Sequence, residues 1–529
     1  MYKPTWVTHT FAGGWATDFG TTVYHGPDNS GGFRLPFLID AQNVVYEFDG
    51  GPRKKPGTNT LNSTAMESGA SVFGVFDYWR QGTSGTASQK RVIHVSTKIK
   101  KDDADGTFTD IFSNVEPNVI PQYSTFDDLL IIGSSSTVDA PRSWDQSTAQ
   151  LLAGSPPRFS FSVNHKNRQW AAGVYTTPSR LYYSENLDPE DWTGAGSGAI
   201  DLDPNDGDMI VGIISHKNEL LVFKGPYKGS IHRITGSAPA DFARTTLFRG
   251  ISAAWINNIF TYGDDIGFIS PRGTVHSLNA TAAYGDYNQS YLSYPINSYL
   301  RSELNHSRHR FWHAVNDPAN GYVLLSVSRA GVARNDVILM MDYRFLAQGD
   351  RDPRWALWTD FGAQSLALAF DTSNRQRVFA GGNDGFVYRL DQANRTHDDT
   401  AITYKVTTPS LTYGSDLHTK TLYVLGAGIA PRNANSFTLG WQRDNVAYQF
   451  ETLIQGGADV LGPWPVNQFT LNTSTLGGAA FSTRFVEAET GGEFKAIRYQ
   501  VTDTANNSDL ELHSIGAGIA GGSASTENV

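Results

Sequence analysis

HKNELLVFKGPYKGSIHRITG, residues 216–236, sets out the unit from which most of this chain is built. A polar turn with Asn218 leads into an apolar run, a Gly-Pro turn follows, and a second short strand closes on Gly236. HKNRQWAAGVYTTPSRLYYSE (165–185) has the same layout, as do FDDLLIIGSSSTVDAPRSWD (126–145), GDDIGFISPRGTVHSL (263–278) and RQRVFAGGNDGFVYRLD (375–391). The stretch 311–360, with FWHAV, YVLLSVS, VILMMDY and WALW, reads as a further copy. Each run is strand-sized and bounded by Gly, Pro, Asn or Asp, the residues that supply turns. Apart from that longer stretch, successive copies start about 40–50 residues apart, the period of propeller blades, whose small sheets must stack to bury both faces. Five or six blades are expected between about residues 65 and 395. A row of separate β-sandwiches is the alternative, and it would need turns more evenly spaced, at about 8–12 residues.

Outward from this core the chain remains β-rich. The 529 residues include 52 Gly and 12% aromatic residues, and only 18% are charged. Glycine serves tight turns and aromatic rings suit a half-buried sheet. Helical periodicity is confined to YLSYPINSYLRSEL (291–304), where Pro295 interrupts it. Residues 1–64 read as an extended N-terminal arm with an entry strand, AQNVVYEFDGGPRKKPG (41–57). Residues 396–520 alternate in the manner of a small antiparallel sandwich, for example AIRYQVTDT (496–504). The tail 521–529 has the composition of a disordered end. The fold class expected is therefore all-β: a propeller-like core, 65–395, between an arm and a C-terminal β-sandwich region.

The charge balance limits the partners. The net charge is −10, and no basic stripe follows the pattern that tracks phosphates. The densest basic cluster, Lys98, Lys100 and Lys101, meets Asp102, Asp103 and Asp105 at once and reads as a charged hairpin tip. An acidic surface can still face DNA without gripping it. Cysteine is absent, which removes disulfides, thiolate nucleophiles and zinc–cysteine sites. The start, MYKPTWVTHTFAGG, lacks the apolar run of a signal peptide, and no segment has the length of apolar residues that spans a bilayer, so synthesis in the cytoplasm is expected.

Asp201, Asp203, Asn205, Asp206 and Asp208 begin like a calcium loop, but Gly207 comes one place late and Gly212 stands where a bidentate Glu belongs. A tight polar turn is the reading preferred. His306, His309 and His313 have ligand-like spacing, yet Arg308 and Arg310 lie between them and would repel a dication; an alternating strand is expected there. His397, Asp398 and Asp399 read as a solvated linker. Glu190 and Asp191 share one loop, whereas glycoside hydrolysis needs carboxylates facing each other across a substrate. AGGNDGFVY (380–388) reads as a hairpin turn. No nucleophile elbow, phosphate loop or zinc signature occurs. No catalytic, metal or cofactor-binding residue is assigned, no cofactor is expected, and the chain is read as a non-enzyme.

Several segments together resemble a known family. SRLYYSENLDPEDW (179–192), DGDMIVGIISHKNELLVFKGPYKGSIHRITG (206–236), GISAAWINNIFTYGDDIGFISPRGTVHSL (250–278) and LIDAQNVVYEFDGGPRKKPG (38–57) are similar to successive segments of the tail nozzle, or tail hub, proteins of short-tailed bacteriophages. These are also described as packaged-DNA stabilisation proteins. The resemblance implies a structural virion protein, commonly a homohexameric ring, attached to the tail adaptor or head-to-tail connector. It would sit near tail fibres or spikes and the host cell envelope, be assembled in the host cytoplasm, retain packaged genome and form the channel for DNA ejection. Double-stranded DNA would pass without sequence-specific binding. Two other readings stay open. One is a propeller that binds or cleaves polysaccharide, with Trp144, Trp170, Trp192, Tyr182 and Tyr183 stacking on sugars. The other is a monomeric cement or fibre-attachment protein.

Overall fold

Strands starting at Val72, Gln122, Phe161, Met209, Ile259, His313 and Ser365 are the inner strands of seven antiparallel four-stranded units. A computed structural model of the chain describes residues 5–9, 11, 13–18, 37–82, 87–104, 106–280, 287–346, 352–413, 417–430, 435–455 and 484–521. These units form a seven-bladed propeller, with blades spanning 72–112, 122–151, 161–201, 209–249, 259–291, 313–358 and 365–392. The inner strand of blade 7, Ser365–Phe370, packs on that of blade 1, Val72–Arg80, which closes the circle. Ser365 Oγ donates to Val72 O at 3.0 Å and the Phe370 amide to Asp77 Oδ2 at 3.2 Å across this seam.

The all-β propeller matches the reading of the sequence, but the blade number is seven rather than five or six. The blade missed is the first. Its outer half, KIKKDDA (98–104), is charged, so the apolar alternation of its inner strands does not carry through. Lys98, Lys100 and Lys101 accordingly lie in a strand and not at a hairpin tip: Lys98 and Lys100 both reach Glu67 and Asp110, and Lys101 lies 3.0 Å from Asp103.

The expected extended arm is instead built into the fold. Among its described residues are five short strands: β1 (Thr5–His9), β2 (Asp40–Gln42), β3 (Val44–Tyr46), β4 (Pro52–Lys54) and β5 (Gly57–Thr60). β5 is the fourth strand of blade 7, pairing Asn59 with Arg389 and Thr60 with Tyr388. The last blade is thus completed by residues more than three hundred positions earlier in the chain. β1 pairs with the strand Glu511–Gly521 in register from Thr5 with Ile519 to His9 with Ile515. β3 and β4 form a hairpin, and β4 adds to the same C-terminal strand.

The C-terminal region is a two-sheet sandwich that shares strands with both the arm and the propeller. One sheet holds β3, β4, Glu511–Gly521, Lys420–Ala430 and Arg484–Phe494, with β1 at the same edge as β4. In the other, β2 pairs antiparallel with Tyr404–Thr407, and its far edge meets Arg354–Trp358 of blade 6 in parallel at Gln42 and Leu357. Blade 6 and this second sheet of the sandwich are therefore one nine-stranded sheet. One apolar core runs through the junction, from Met340 and Trp355 of blade 6 through Tyr46 to Tyr404, Leu439 and Tyr499 of the sandwich. Tyr46 Oη donates to Trp355 O at 2.7 Å, and Trp358 Nε1 to Val44 O at 2.9 Å. Tail residues 522–529 and arm residues 19–36 lie outside the described residues. Among the described residues no helix is long and apolar enough to cross a membrane. The sole α-helix described is α1 (Asn297–Ser302), which starts after Pro295 as the proline requires.

Candidate functional site

The propeller axis holds a cavity of about 320 Å³, framed by the inner strands of blades 1, 2, 6 and 7 and by the turn 256–258. Antiparallel blades bring the first residues of their inner strands to one end of the axis, and these residues line the cavity. Gly74 stands where a Cβ would press on the Tyr123 hydroxyl, at 2.7 Å, so glycine lets that ring reach inward. Tyr123 stacks on Phe76 with ring centres 5.1 Å apart. Gln122 donates to Asn257 across the axis.

Three buried polar atoms here lack a protein partner: Tyr123 Oη, Asn257 Nδ2 and His313 Nδ1. Burial holds the His313 pKa down at about 4, so its ring is neutral near pH 7, and the same effect pushes the Tyr123 hydroxyl far above its usual value. Buried polar groups are nearly always hydrogen-bonded, so these three call for water or a small polar guest. Asp77, the carboxylate at this end, is already engaged by Gln89 Nε2 at 2.7 Å and Trp79 Nε1 at 3.0 Å. The cavity can hold small polar molecules. At about 320 Å³ it is far smaller than the space a duplex would need, whose major groove alone is about 12 Å wide.

The acidic turn 201–208 is a turn, as expected, and its carboxylates diverge to separate partners. Asp201 forms a two-point pair with Arg180, at 2.7 and 2.9 Å. Asp203 meets Arg244 at 2.9 Å, and Asp206 meets the buried Lys224 Nζ at 2.7 Å. Asp208, buried, accepts the backbone amides of Tyr227, Lys228 and Gly229 at 2.8–3.2 Å. Asp203 and Asn205 have positive φ, which short polar side chains tolerate. Among the described residues no three acidic or histidine side chains converge as a metal site would require.

Two expectations about histidines are corrected. His306 and His309 lie on a 3₁₀ turn, His306–Phe311, not on a strand; only His313 opens one. The turn forms because Arg308 and Arg310 stack on Phe311 and Trp255, at 4.3 and 4.8 Å, which favours a compact backbone over an extended one. His397 is not in a solvated linker. It pairs beside β5, hydrogen-bonds Thr58, and packs between Phe361 and Tyr388, whose ring centres lie 5.0 and 5.1 Å away. Burial lowers its pKa.

The aromatic residues considered for sugar stacking pack inside blades. Trp144, Trp170, Trp192 and Tyr183 are buried, and Tyr182 is half-buried with its hydroxyl 2.9 Å from that of Thr177. The Asp-Pro-x-Asp-Trp turn is a self-contained knot: Trp192 Nε1 donates to Pro189 O at 2.9 Å, and Asp191 accepts the amides of Thr193 and Gly194. Glu190 and Asp191 form no facing pair.

What residue-by-residue reading missed is the role of Arg53, Lys54 and Lys55. Arg53 clasps Asp509 at 2.8 and 2.6 Å and Glu47 at 2.8 Å. Lys54 reaches Asp503 at 3.5 Å with neither side chain exposed. Lys55 meets Asp360 at 2.9 Å and lies over the Trp358 ring. Three successive cations thus tie the arm to the sandwich and to the chain following blade 6. A signal was present: in IRYQVTD (497–503) alternate residues face the core, and Asp503 falls on the inward phase.

No family model matches the chain, and no curated protein is similar to it in sequence. Among solved structures, YCF48 bound to a D1 peptide is similar over 66% of this chain and 97% of that one, at 9% identity and a TM-score of 0.38. BBS1N in complex with ARL6DN is similar over 64% and 98%, at 9% identity and 0.39, and a chain of a mitotic checkpoint complex over 70% and 99%, at 12% and 0.36. The closed circle of seven blades establishes the β-propeller by itself.

Proposed function

We propose that the chain is a structural virion protein, the subunit of a nozzle or hub ring at the end of a short phage tail. The observation that carries this reading is that its family-like segments fall on the strands that build the propeller and its junction with the sandwich. Residues 38–57 supply β2, β3 and β4, which knit propeller to sandwich, while 206–236 and 250–278 fall within blades 4 and 5 and their approaches. A subunit whose two domains share a sheet and a core suits a ring that bears pressure, because the domains cannot swing apart without breaking strand pairs. In this reading the DNA channel lies between copies, since the axial cavity is far smaller than a duplex would need. Partners would be five further copies, the tail adaptor and the fibres or spikes. Ring closure needs a heterologous contact. Exposed apolar side chains on the sandwich, Tyr423, Val446 and Phe450, are candidates for it. The saccharide alternative loses most of its aromatic platform, because Trp144, Trp170, Trp192 and Tyr183 are buried and Tyr182 is half-buried.

Cryo-electron microscopy of virions carrying an antibody label against this chain tests the proposal. A labelled ring with a central channel at the tail tip is expected. Label confined to the capsid or fibres would overturn it. Deleting residues 1–37 is not a clean test of assembly, because it removes β1 from its own sandwich.

A further inference from the structure

On the face that carries the 226–229 and 270–274 turns, blades 4 and 5 enclose a cleft of about 540 Å³. Four cations line it: Lys228, Arg249, Arg272 and Arg301. They come from four separate segments, namely two hairpin turns, the end of a blade-4 strand and α1. No carboxylate side chain is among its lining residues. Arg249 lies 3.6 Å from Asp203, outside the cleft. Among the described residues Arg272 and Arg301 form no ion pair with a carboxylate, and Lys228 feels Asp206 only at longer range, while Asp208, behind the cleft wall, is taken up by the 227–229 amides. This differs from the other basic clusters of the chain, where Lys98, Lys100, Arg53 and Lys54 each have an acidic partner. Like charges gathered in a cleft raise its potential and repel one another unless an anion enters.

The cleft wall also contains a hydroxyl that the protein leaves unused. Ser252 is only 2% exposed and its Oγ has no partner. Beside it, Ser270, Thr274 and His276 form a buried hydrogen-bonded row, at 2.6 and 2.8 Å. Tyr291 packs edge-on to His276 and joins the lining, and Tyr227 stands at the rim, almost fully exposed.

We infer that this cleft binds a phosphate monoester carried on a ring-bearing small molecule, a nucleotide or a sugar phosphate. Arginine forks match tetrahedral oxyanions, and a dianion can use several cations and a hydroxyl donor at once. The volume exceeds what one phosphate fills and falls within the range of small-molecule pockets, about 300–1,000 Å³. The two tyrosines offer faces for the attached ring. This site does not depend on the ring assembly proposed above.

Calorimetric titration of the full chain with inorganic phosphate, glucose 1-phosphate and ADP tests the inference, with glucose and adenosine as uncharged controls. Binding of at least one ester more tightly than inorganic phosphate is expected, and which ester binds identifies the source. Arg272→Gln with Arg301→Gln should weaken it about tenfold or more, since each charge-assisted contact is strong. Both side chains are exposed, so the double variant should keep the wild-type thermal midpoint. The inference is overturned by no binding of any ester at millimolar concentration, by equal affinity in the double variant, or by equal affinity for an oligoglutamate. Binding of duplex DNA that needs the same arginines and excludes the esters would also overturn it.

Discussion

Lys54 Nζ lies 3.5 Å from Asp503 Oδ2, and neither side chain is exposed to solvent. The lysine comes from the N-terminal arm and the aspartate from the sandwich, 449 positions later. Burial pulls the Lys54 pKa below its usual value, while Asp503 opposes that fall. Lys54 also donates to Ala505 O at 3.1 Å, and Asp503 accepts the Ala505 amide at 2.8 Å. The pair therefore acts as a registered lock between segments that no local contact could align.

Removing one partner leaves a buried charge, which costs about 3–5 kcal/mol. Lys54→Met should lower stability by that amount in urea unfolding, and adding Asp503→Asn should recover part of it. A single variant within about 1 kcal/mol of wild type would show that the pair does not matter. Because propeller and sandwich share one core, calorimetry of the wild type should give one transition, whereas two well-separated transitions would contradict the shared core.

Gly57 opens β5, and a Cβ there would collide with the backbone carbonyl oxygens of Asn394 and Thr396. Gly57→Ala should therefore loosen the fourth strand of blade 7. Overpacking of this kind costs about 1–3 kcal/mol. Proteolysis is expected to begin near residues 57–61 or 392–397 in the variant. An unchanged thermal midpoint and digestion pattern would refute the role of β5 in closure.

Acid should destabilise the chain through its buried histidines. His94 hydrogen-bonds Val119 O through Nδ1 at 3.0 Å, while Nε2 has no partner. Burial holds its pKa at about 4, against an ordinary 6.5. The folded state thus binds fewer protons than the unfolded state. The resulting stability is present above pH 6.5 and is lost as the pH falls through about 4. One such group contributes about 3 kcal/mol across that window. His94→Asn, which keeps a donor near Nδ1, should make the fall of the urea midpoint between those limits shallower. A slope identical to wild type would count against it.

The 201–208 turn should ignore calcium. Asp208 holds three amides, and hydrogen bonds to a charged group are worth about 1.5–3 kcal/mol each. Asp208→Ala should therefore lower the thermal midpoint, with no rescue by calcium. If calcium raises the wild-type midpoint, and a chelator reverses it, the turn binds the ion after all.

The β class, the repeat and the sandwich could be read from residues, because alternation at period two and turn chemistry are local properties. Blade 1 was harder to see, because Lys98, Lys100 and Lys101 satisfy their charges through ion pairs instead of burial and so erase the apolar phase. β5, GTNT, carries no periodic signal at all; it is a strand only because blade 7 leaves an edge that needs pairing. The buried fate of Lys54 could be suspected from Asp503 on an inward phase, but their pairing could not. The basic cleft was wholly illegible, since Lys228, Arg249, Arg272 and Arg301 are separate in sequence and meet where turns from neighbouring blades converge. Local chemistry by itself determined the strand-and-turn character of most propeller and sandwich segments. Closure of the circle, the strands lent by the arm, and the charges left without partners were decided by long-range packing, which sets which distant edges and side chains must share a space.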